Sequence, residues 1–216
     1  MAALLLDGAR ADYGGSPVLG PLDLKVERGE CVALVGRSGA GKSTLLSLLR
    51  DTKRRDAALV PQNLGLVDTL SVFHNVYMGQ LAQHSNLYNL INLARPFAAQ
   101  VTAVQAELEH LDMSNSLWTR TGELSGGQRQ RVAVARALFQ AGEVLLADEP
   151  VSALDGPRAI AVMDALSARY ETAVIAMHDV DLALRYADRL VGIRDGLIAL
   201  DQPADQINYD ALRALY

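Results

Sequence analysis

Cys31-Val32-Ala33-Leu34-Val35 runs directly into Gly36-Arg37-Ser38-Gly39-Ala40-Gly41-Lys42-Ser43, and a leucine-rich stretch from Leu45 to Leu49 follows. A short apolar run without a polar face reads as a strand buried on both sides, and the leucine stretch as a helix. The eight residues between them fit G-x-x-x-x-G-K followed by Ser or Thr. Glycines in such a loop let backbone N–H groups wrap a polyphosphate with no Cβ in the way. Lys42 brings a point charge to the outer phosphate oxygens, and the Ser43 hydroxyl is suited to Mg²⁺. The helix that begins there adds the favourable end of its dipole. Residue usage alone would produce this pattern in roughly one chain of this length per hundred. Gly36, Arg37, Ser38, Gly39, Ala40, Gly41, Lys42, Ser43 and Thr44 are therefore candidate nucleotide contacts.

Three further apolar runs behave like the first: Ala57–Val60, Val144–Ala147 and Ala173–Met177. Each leads at once to a residue with chemical potential: Gln62, then Asp148 and Glu149, then His178. In open α/β sheets ligands bind beyond the carboxyl ends of the strands, so four such endings are expected to meet at one crevice. A strand that merely stops at a polar residue explains one case better than four.

Between the second and third runs the texture changes. Residues from about Ser71 to Ala135 read as helical. Gln100–Leu111 is the clearest part, with Val101, Val104, Leu108 and Leu111 on one face. Pro96 and Ser114-Asn115-Ser116 mark breaks. The expected organisation is a single domain, with a nucleotide-binding core of residues 1–62 and 140–216 and an inserted helical subdomain of residues 63–139.

Composition limits the remaining classes. The 216 residues are 50% apolar, carry 20 Lys+Arg against 25 Asp+Glu, and have a formal net charge of −5. That apolar share supports a packed core and excludes disorder. An acidic balance with no basic run beyond Lys53-Arg54-Arg55 argues against nucleic acid as a partner. One cysteine makes no internal disulfide, and Cys31 in its apolar run is expected in the core. No basic n-region precedes the apolar start, and the longest charge-free stretch, Thr69 to Ala94, is broken by polar residues such as His74, Asn75 and Gln80. The reading is a soluble or peripheral protein. His74, His84 and His110 lack metal-ligand spacing.

Leu124-Ser125-Gly126-Gly127-Gln128 precedes the helical stretch Arg129 to Leu138. A hydroxyl, two glycine amides and a helix N-terminus make a second anion site in one chain. One nucleotide does not readily need both sites. A head-to-tail dimer resolves this, each nucleotide lying between one subunit's glycine loop and the other's Ser-Gly-Gly element. Arg129, Arg131 and Arg136 read as helix-surface and packing charges rather than catalytic fingers.

These residues together resemble the ATPase subunit of an ABC transporter over essentially the whole chain. GRSGAGKS at 36–43 is similar to the Walker A motif, LSGGQ at 124–128 to the signature, and VLLADE at 144–149 to Walker B. Gln62 matches the Q-loop, Ser152-Ala153-Leu154-Asp155 the D-loop, His178 the switch histidine and Tyr13 the aromatic position that stacks on adenine. The resemblance implies a P-loop NTPase core, mostly parallel sheet flanked by helices, with an inserted α-helical signature subdomain. It implies ATP and Mg²⁺ as cofactors and ATP hydrolysis as the activity. Glu149 is then the general base, His178 a γ-phosphate contact, and Lys42 and Gln62 further catalytic groups. Ser43, Gln62 and Asp148 hold the metal. Ser125, Gly126, Gly127, Gln128 and Asp155 face the ATP of a partner subunit.

Segments 60–81, 147–155, 178–196 and 211–216 look like those of phosphonate-importer ATPases. The resemblance therefore implies import of a phosphonate or related phosphorus compound through separate transmembrane permease subunits, with a solute-binding protein in the system. It places the chain in the cytoplasm, peripheral on the inner face of the membrane, and expects no regulatory C-terminal domain. An exporter or lipid-extraction ATPase shares every catalytic motif, and a non-transport component of phosphonate metabolism is the third reading. One departure stands out. Only nineteen residues separate Lys42 from Gln62, so the β-subdomain that usually occupies this stretch is expected to be shortened. Residues near 63–96 are the expected contact with the membrane partner.

Overall fold

Uninterrupted apolar character and burial coincide in four strands: β3 (Cys31–Val35), β4 (Ala57–Val60), β5 (Val144–Asp148) and β6 (Ala173–Ala176). The computed structural model describes every residue except Met1, Arg54, Arg55, Tyr209, Asp210, Ala211, Ala214 and Tyr216, and describes Tyr13 by its backbone alone. Half of the 211–216 segment, Ala211, Ala214 and Tyr216, thus lies outside the described residues. The chain forms two compact units, one of residues 1–62, 143–152 and 170–216, the other of residues 63–142 and 153–169. The stretch 153–169 groups with the helical unit, whereas the sequence reading assigned it to the core.

In the first unit a six-stranded sheet has the order β4-β5-β6-β3-β7-β8, with β7 Arg189–Arg194 and β8 Leu197–Pro203. The β4 to β7 neighbours are parallel, and β8 closes the edge antiparallel to β7. Val32, Ala33, Leu34 and Val35 are fully buried, as expected of a central parallel strand covered on both faces. A separate antiparallel pair joins β1 (Ala2–Tyr13) to β2 (Ser16–Glu27). On β2, Leu22, Leu24 and Val26 are buried while Asp23 and Lys25 are exposed, the period of two that puts one face on the core. Helix α1 (Lys42–Thr52) packs on β1 and β2 through Leu45, Leu46 and Leu49. Between α1 and β4 no strand occurs among the described residues.

Cys31 is only half-buried, less enclosed than the core position expected for it. Its N–H donates to Asp188 Oδ2 at 2.8 Å. Burial, reinforced by Asp188 and Glu30, pushes the thiol up to about 12, so it carries almost no thiolate at neutral pH.

The second unit is helical: α2 (Val72–Tyr77), α3 (Asn86–Ala94), α4 (Ala98–Glu109), α5 (Gly126–Gln140) and α6 (Gly156–Arg169). The continuous helical reading of 71–135 is broken by short 3-10 segments and turns. On α4, Val104 and Leu108 are buried, with Leu111 following in the turn, while Val101 is half-buried. Buried Asn75 ties the loop before α2: its Oδ1 accepts from Val67 N–H at 2.8 Å, and its Nδ2 donates to the Val67 carbonyl at 3.1 Å. Arg131 is buried and donates to the carbonyls of Leu111 at 2.8 Å and Asp112 at 3.0 Å, consistent with a packing charge. No helix among the described residues is long and apolar enough to cross a membrane.

Candidate nucleotide site

The strands β4, β5, β6 and β3 are parallel neighbours, so their carboxyl ends lie along one edge of the sheet. That places Gln62, Asp148 with Glu149, His178 and the loop from Gly36 on the same edge, where ligands of open α/β sheets bind. The loop needs its glycines at identifiable atoms. Gly36 has φ +136, and a Cβ there would stand 2.3 Å from the carbonyl oxygen of Ile193 on the neighbouring strand. Gly41, at φ +110, is the N-cap of α1.

Lys42 is buried, and its Nζ donates to the Gly36 carbonyl at 2.7 Å and the Arg37 carbonyl at 3.0 Å. Burial lowers its pKa, while Glu149 and Asp148 act in the opposite sense. The ammonium is thereby centred in the loop, where a polyphosphate would meet it together with the loop amides.

Asp148 ends β5 and is buried. Burial raises its carboxyl pKa, offset in part by a hydrogen bond with Ser43 and by Lys42, with Glu149 adding to the rise. Its Oδ1 is buried without a hydrogen-bond partner. A buried acceptor left unpaired is costly, and Asp148 borders a cavity of about 110 Å³ together with Ser43 and Gln62. An alcohol, an amide oxygen and a carboxylate are oxygen donors of the kind Mg²⁺ takes, with the rest of its shell from phosphate and water. The residues present fit that ion.

Glu149 has φ +53, a left-handed conformation that costs a non-glycine residue about 1–3 kcal/mol. Its N–H still donates to the Ala176 carbonyl at 3.0 Å, carrying the β5–β6 ladder one residue further. The carboxylate Oε1 meets His178 Nε2 at 2.5 Å. His178 is set by the start of α7 (Val180–Tyr186), which Asp179 caps by accepting from Leu182 N–H at 3.0 Å. Tyr13 ends β1 opposite Ser16; its side chain lies outside what is described.

Within the helical unit, Ser125 begins α5 with a reciprocal cap: its Oγ accepts from Gln128 N–H at 3.4 Å, and Gln128 Oε1 accepts from Ser125 N–H at 2.9 Å. A Cβ on Gly127 would stand 3.0 Å from the Ala153 carbonyl, so the D-loop packs directly on the signature turn. Ser125, Gly127, Gln128, Arg131, Asp155 and Arg158 border a cavity of about 360 Å³. Asp155 is occupied within its own chain, accepting from Arg158 N–H at 3.1 Å and pairing with Arg158 Nη1 at 2.5 Å.

Two features were not read from the sequence. Arg136 donates from Nη1 to the Gly65 carbonyl at 2.7 Å and from Nη2 to the Leu64 carbonyl. The second is an apolar groove of about 430 Å³ bordered by Leu70, Tyr77, Met78, Leu81, Leu90 and Leu93. Leu87, Leu90 and Leu93 of α3 are exposed. The charge-free stretch held the signal for the groove; nothing local in the sequence says which carbonyls an arginine will grip.

A glycine loop holding a buried lysine, on parallel strands that also end in paired carboxylates, defines a P-loop NTPase core. The model of the ABC transporter family matches residues 19–152, and the chain belongs to that family. It is 37% identical to a phosphonates import ATP-binding protein of Frankia casuarinae, covering 100% of this chain and 96% of the relative. It is 40% identical to one of Pseudomonas syringae pv. tomato, covering 94% of this chain and 86% of the relative. Among solved structures, a dimeric bacterial ABC transporter cassette superposes with TM-score 0.82 at 25% identity, over 93% of this chain and 98% of that one. An ATP-binding subunit of an ABC transporter gives TM-score 0.79 at 23% identity, over 98% of both chains.

Proposed function

We propose that the chain binds and hydrolyses ATP to power import of phosphonates through separate membrane-spanning subunits. The observation that carries the chemistry is the group Asp148, Glu149 and His178 set beside the glycine loop on adjacent strand ends. The cargo is carried by the relatives, which match along nearly their full length and are named for phosphonate import.

In this reading the loop amides from Gly36 to Thr44 and the Lys42 ammonium bind the triphosphate, and Tyr13 stacks on adenine. Ser43, Gln62 and Asp148 would hold Mg²⁺, which when bound neutralises phosphate charge in the transition state. Glu149 takes the proton of the attacking water, and its left-handed backbone aims the carboxylate from the strand end. His178 orients that carboxylate through the 2.5 Å contact and stabilises charge at the γ-phosphate. Ser125, Gly126, Gly127, Gln128 and Asp155 complete the site of a second subunit arranged head to tail. Asp155 must exchange its ion pair with Arg158 to do so. The apolar groove beside α3 takes the permease contact, which holds the chain at the inner face of the membrane; a solute-binding protein delivers the cargo.

The test is uptake of a labelled phosphonate by cells carrying the intact protein or Glu149→Gln. Uptake is expected with the intact protein alone. Equal uptake in both, with the purified intact protein hydrolysing ATP, would overturn the transport assignment and leave the hydrolysis chemistry standing.

A further inference from the structure

Leu64 and Gly65 follow Gln62 by two and three residues, and both are left-handed, with φ +58 and +56. In a helical turn of either hand successive carbonyls point the same way. Here the two carbonyls converge on one guanidinium: Arg136 donates from Nη1 to Gly65 O at 2.7 Å and from Nη2 to Leu64 O. The turn is tightened by the Gly65 N–H, which donates to the Asn63 carbonyl at 2.7 Å. A left-handed backbone costs leucine about 1–2 kcal/mol, which the two-pronged grip offsets. Arg136 lies in the fourth turn of α5, the helix that Ser125 caps. The segment that follows Gln62 in the chain is thereby fastened, at Leu64 and Gly65, to the helix that Ser125 caps.

We propose that Arg136 is a positioning residue for Gln62, fixing the backbone that leaves the metal-binding cavity so that Gln62 presents its amide to the metal and the water. This rests on the reading of Gln62 as a metal and water contact. Lysine would keep the charge but not the planar fork, and reaches one carbonyl at a time. A remote change that lets a reacting group drift by about 1 Å can lower the rate by about a hundredfold.

The experiment is a double-mutant cycle on the purified full chain, reading kcat, the Mg²⁺ dependence of kcat and ATP affinity, with thermal melting as the check on folding. Arg136→Lys is expected to lower kcat by about tenfold or more and to raise the Mg²⁺ requirement, with ATP affinity unchanged. In a Gln62→Ala background the same substitution is expected to change kcat by less than about twofold. Equal fold losses in the two backgrounds would overturn the inference and leave Gln62's role intact. A wild-type rate for Gln62→Ala alone would overturn that role and the inference with it. Leu64→Pro gives a second route if Arg136→Lys does not fold. Proline fixes φ near −65° and turns the carbonyls from the guanidinium without touching Arg136. It is expected to reproduce the loss, and a wild-type kcat would overturn the inference.

Discussion

His178 Nε2 stands 2.5 Å from Glu149 Oε1; Glu149 directly follows β5, and His178 lies two residues beyond the end of the neighbouring parallel strand β6. At this distance the histidine ring and the carboxylate are held as one hydrogen-bonded pair rather than as two independent groups. The carboxylate proposed as the base is thus already oriented by the histidine proposed to face the phosphate.

Glu149→Gln keeps the shape and removes the proton acceptor. Hydrolysis is expected to fall by about 10²–10⁴-fold, the usual contribution of a positioned base. ATP binding should persist, and an ATP-bound dimer should accumulate on size-exclusion chromatography. Steady-state hydrolysis at the intact rate would show that another group takes the proton.

Gly36→Ala tests the close approach of loop and sheet. The added methyl would stand 2.3 Å from the Ile193 carbonyl oxygen, and φ +136 is strained for alanine as well. Backbone does not yield as a flexible side chain does, so a loss of about 2–4 kcal/mol is expected in denaturant melts, with ATP binding abolished. Gly39→Ala, at φ +80 with no atom within 4 Å of its Cβ, should cost about 1–2 kcal/mol. Equal costs for the two would show that the contact with Ile193 is relaxed in solution.

The strands that were legible in the sequence are those whose burial leaves no polar face. Cys31–Val35 and Ala57–Val60 match the structure end to end, and the one or two residues after each such run marked the site edge. β1, β2, β7 and β8 were not read: β1, β2 and β8 mix polar with apolar residues, and β7 is a buried run of four residues bracketed by arginines. The alternation Leu22-Asp23-Leu24-Lys25-Val26 nonetheless carried the signal for β2. Motif residues could be placed by order along the chain. The left-handed backbone of Glu149 and the grip of Arg136 depend on neighbours far apart in sequence, and no local pattern encodes them, whereas the pairing of Asp155 with Arg158 spans only three residues.

Ser125 caps α5, and the proposed function gives it a second, separable duty, meeting a partner's phosphate. Ser125→Ala removes both, so it should cost about 1 kcal/mol of stability as well as hydrolysis, with nucleotide binding by the monomer intact. Ser125→Asp keeps an oxygen for the Gln128 N–H but places negative charge against the phosphate. It should melt like the intact protein and still fail to hydrolyse ATP. Normal turnover by Ser125→Asp would show that this turn does not face a nucleotide.

Asp148 sets stability against function, and pH separates the two. Its folded pKa is raised, chiefly by burial, above the ordinary value of 3.8, and Oδ1 has no partner. An acid with a raised folded pKa destabilises the fold while ionised. That cost is fully present above the folded pKa and disappears as pH falls to the unfolded value. Asp148→Asn is therefore expected to melt higher than the intact protein at pH 7 without ligand, with the gap closing as pH falls through the folded pKa. Addition of Mg²⁺ and ATP should reverse the order, because the metal stabilises only the carboxylate form. Hydrolysis by Asp148→Asn should be lower by about a hundredfold or more, the loss of several kcal/mol of charge stabilisation. Melting curves from pH 8 to pH 4.5, with and without Mg²⁺ and ATP, read both effects. A lower melting point for Asp148→Asn at pH 7 without ligand would mean that the buried carboxylate is satisfied by a group other than the metal.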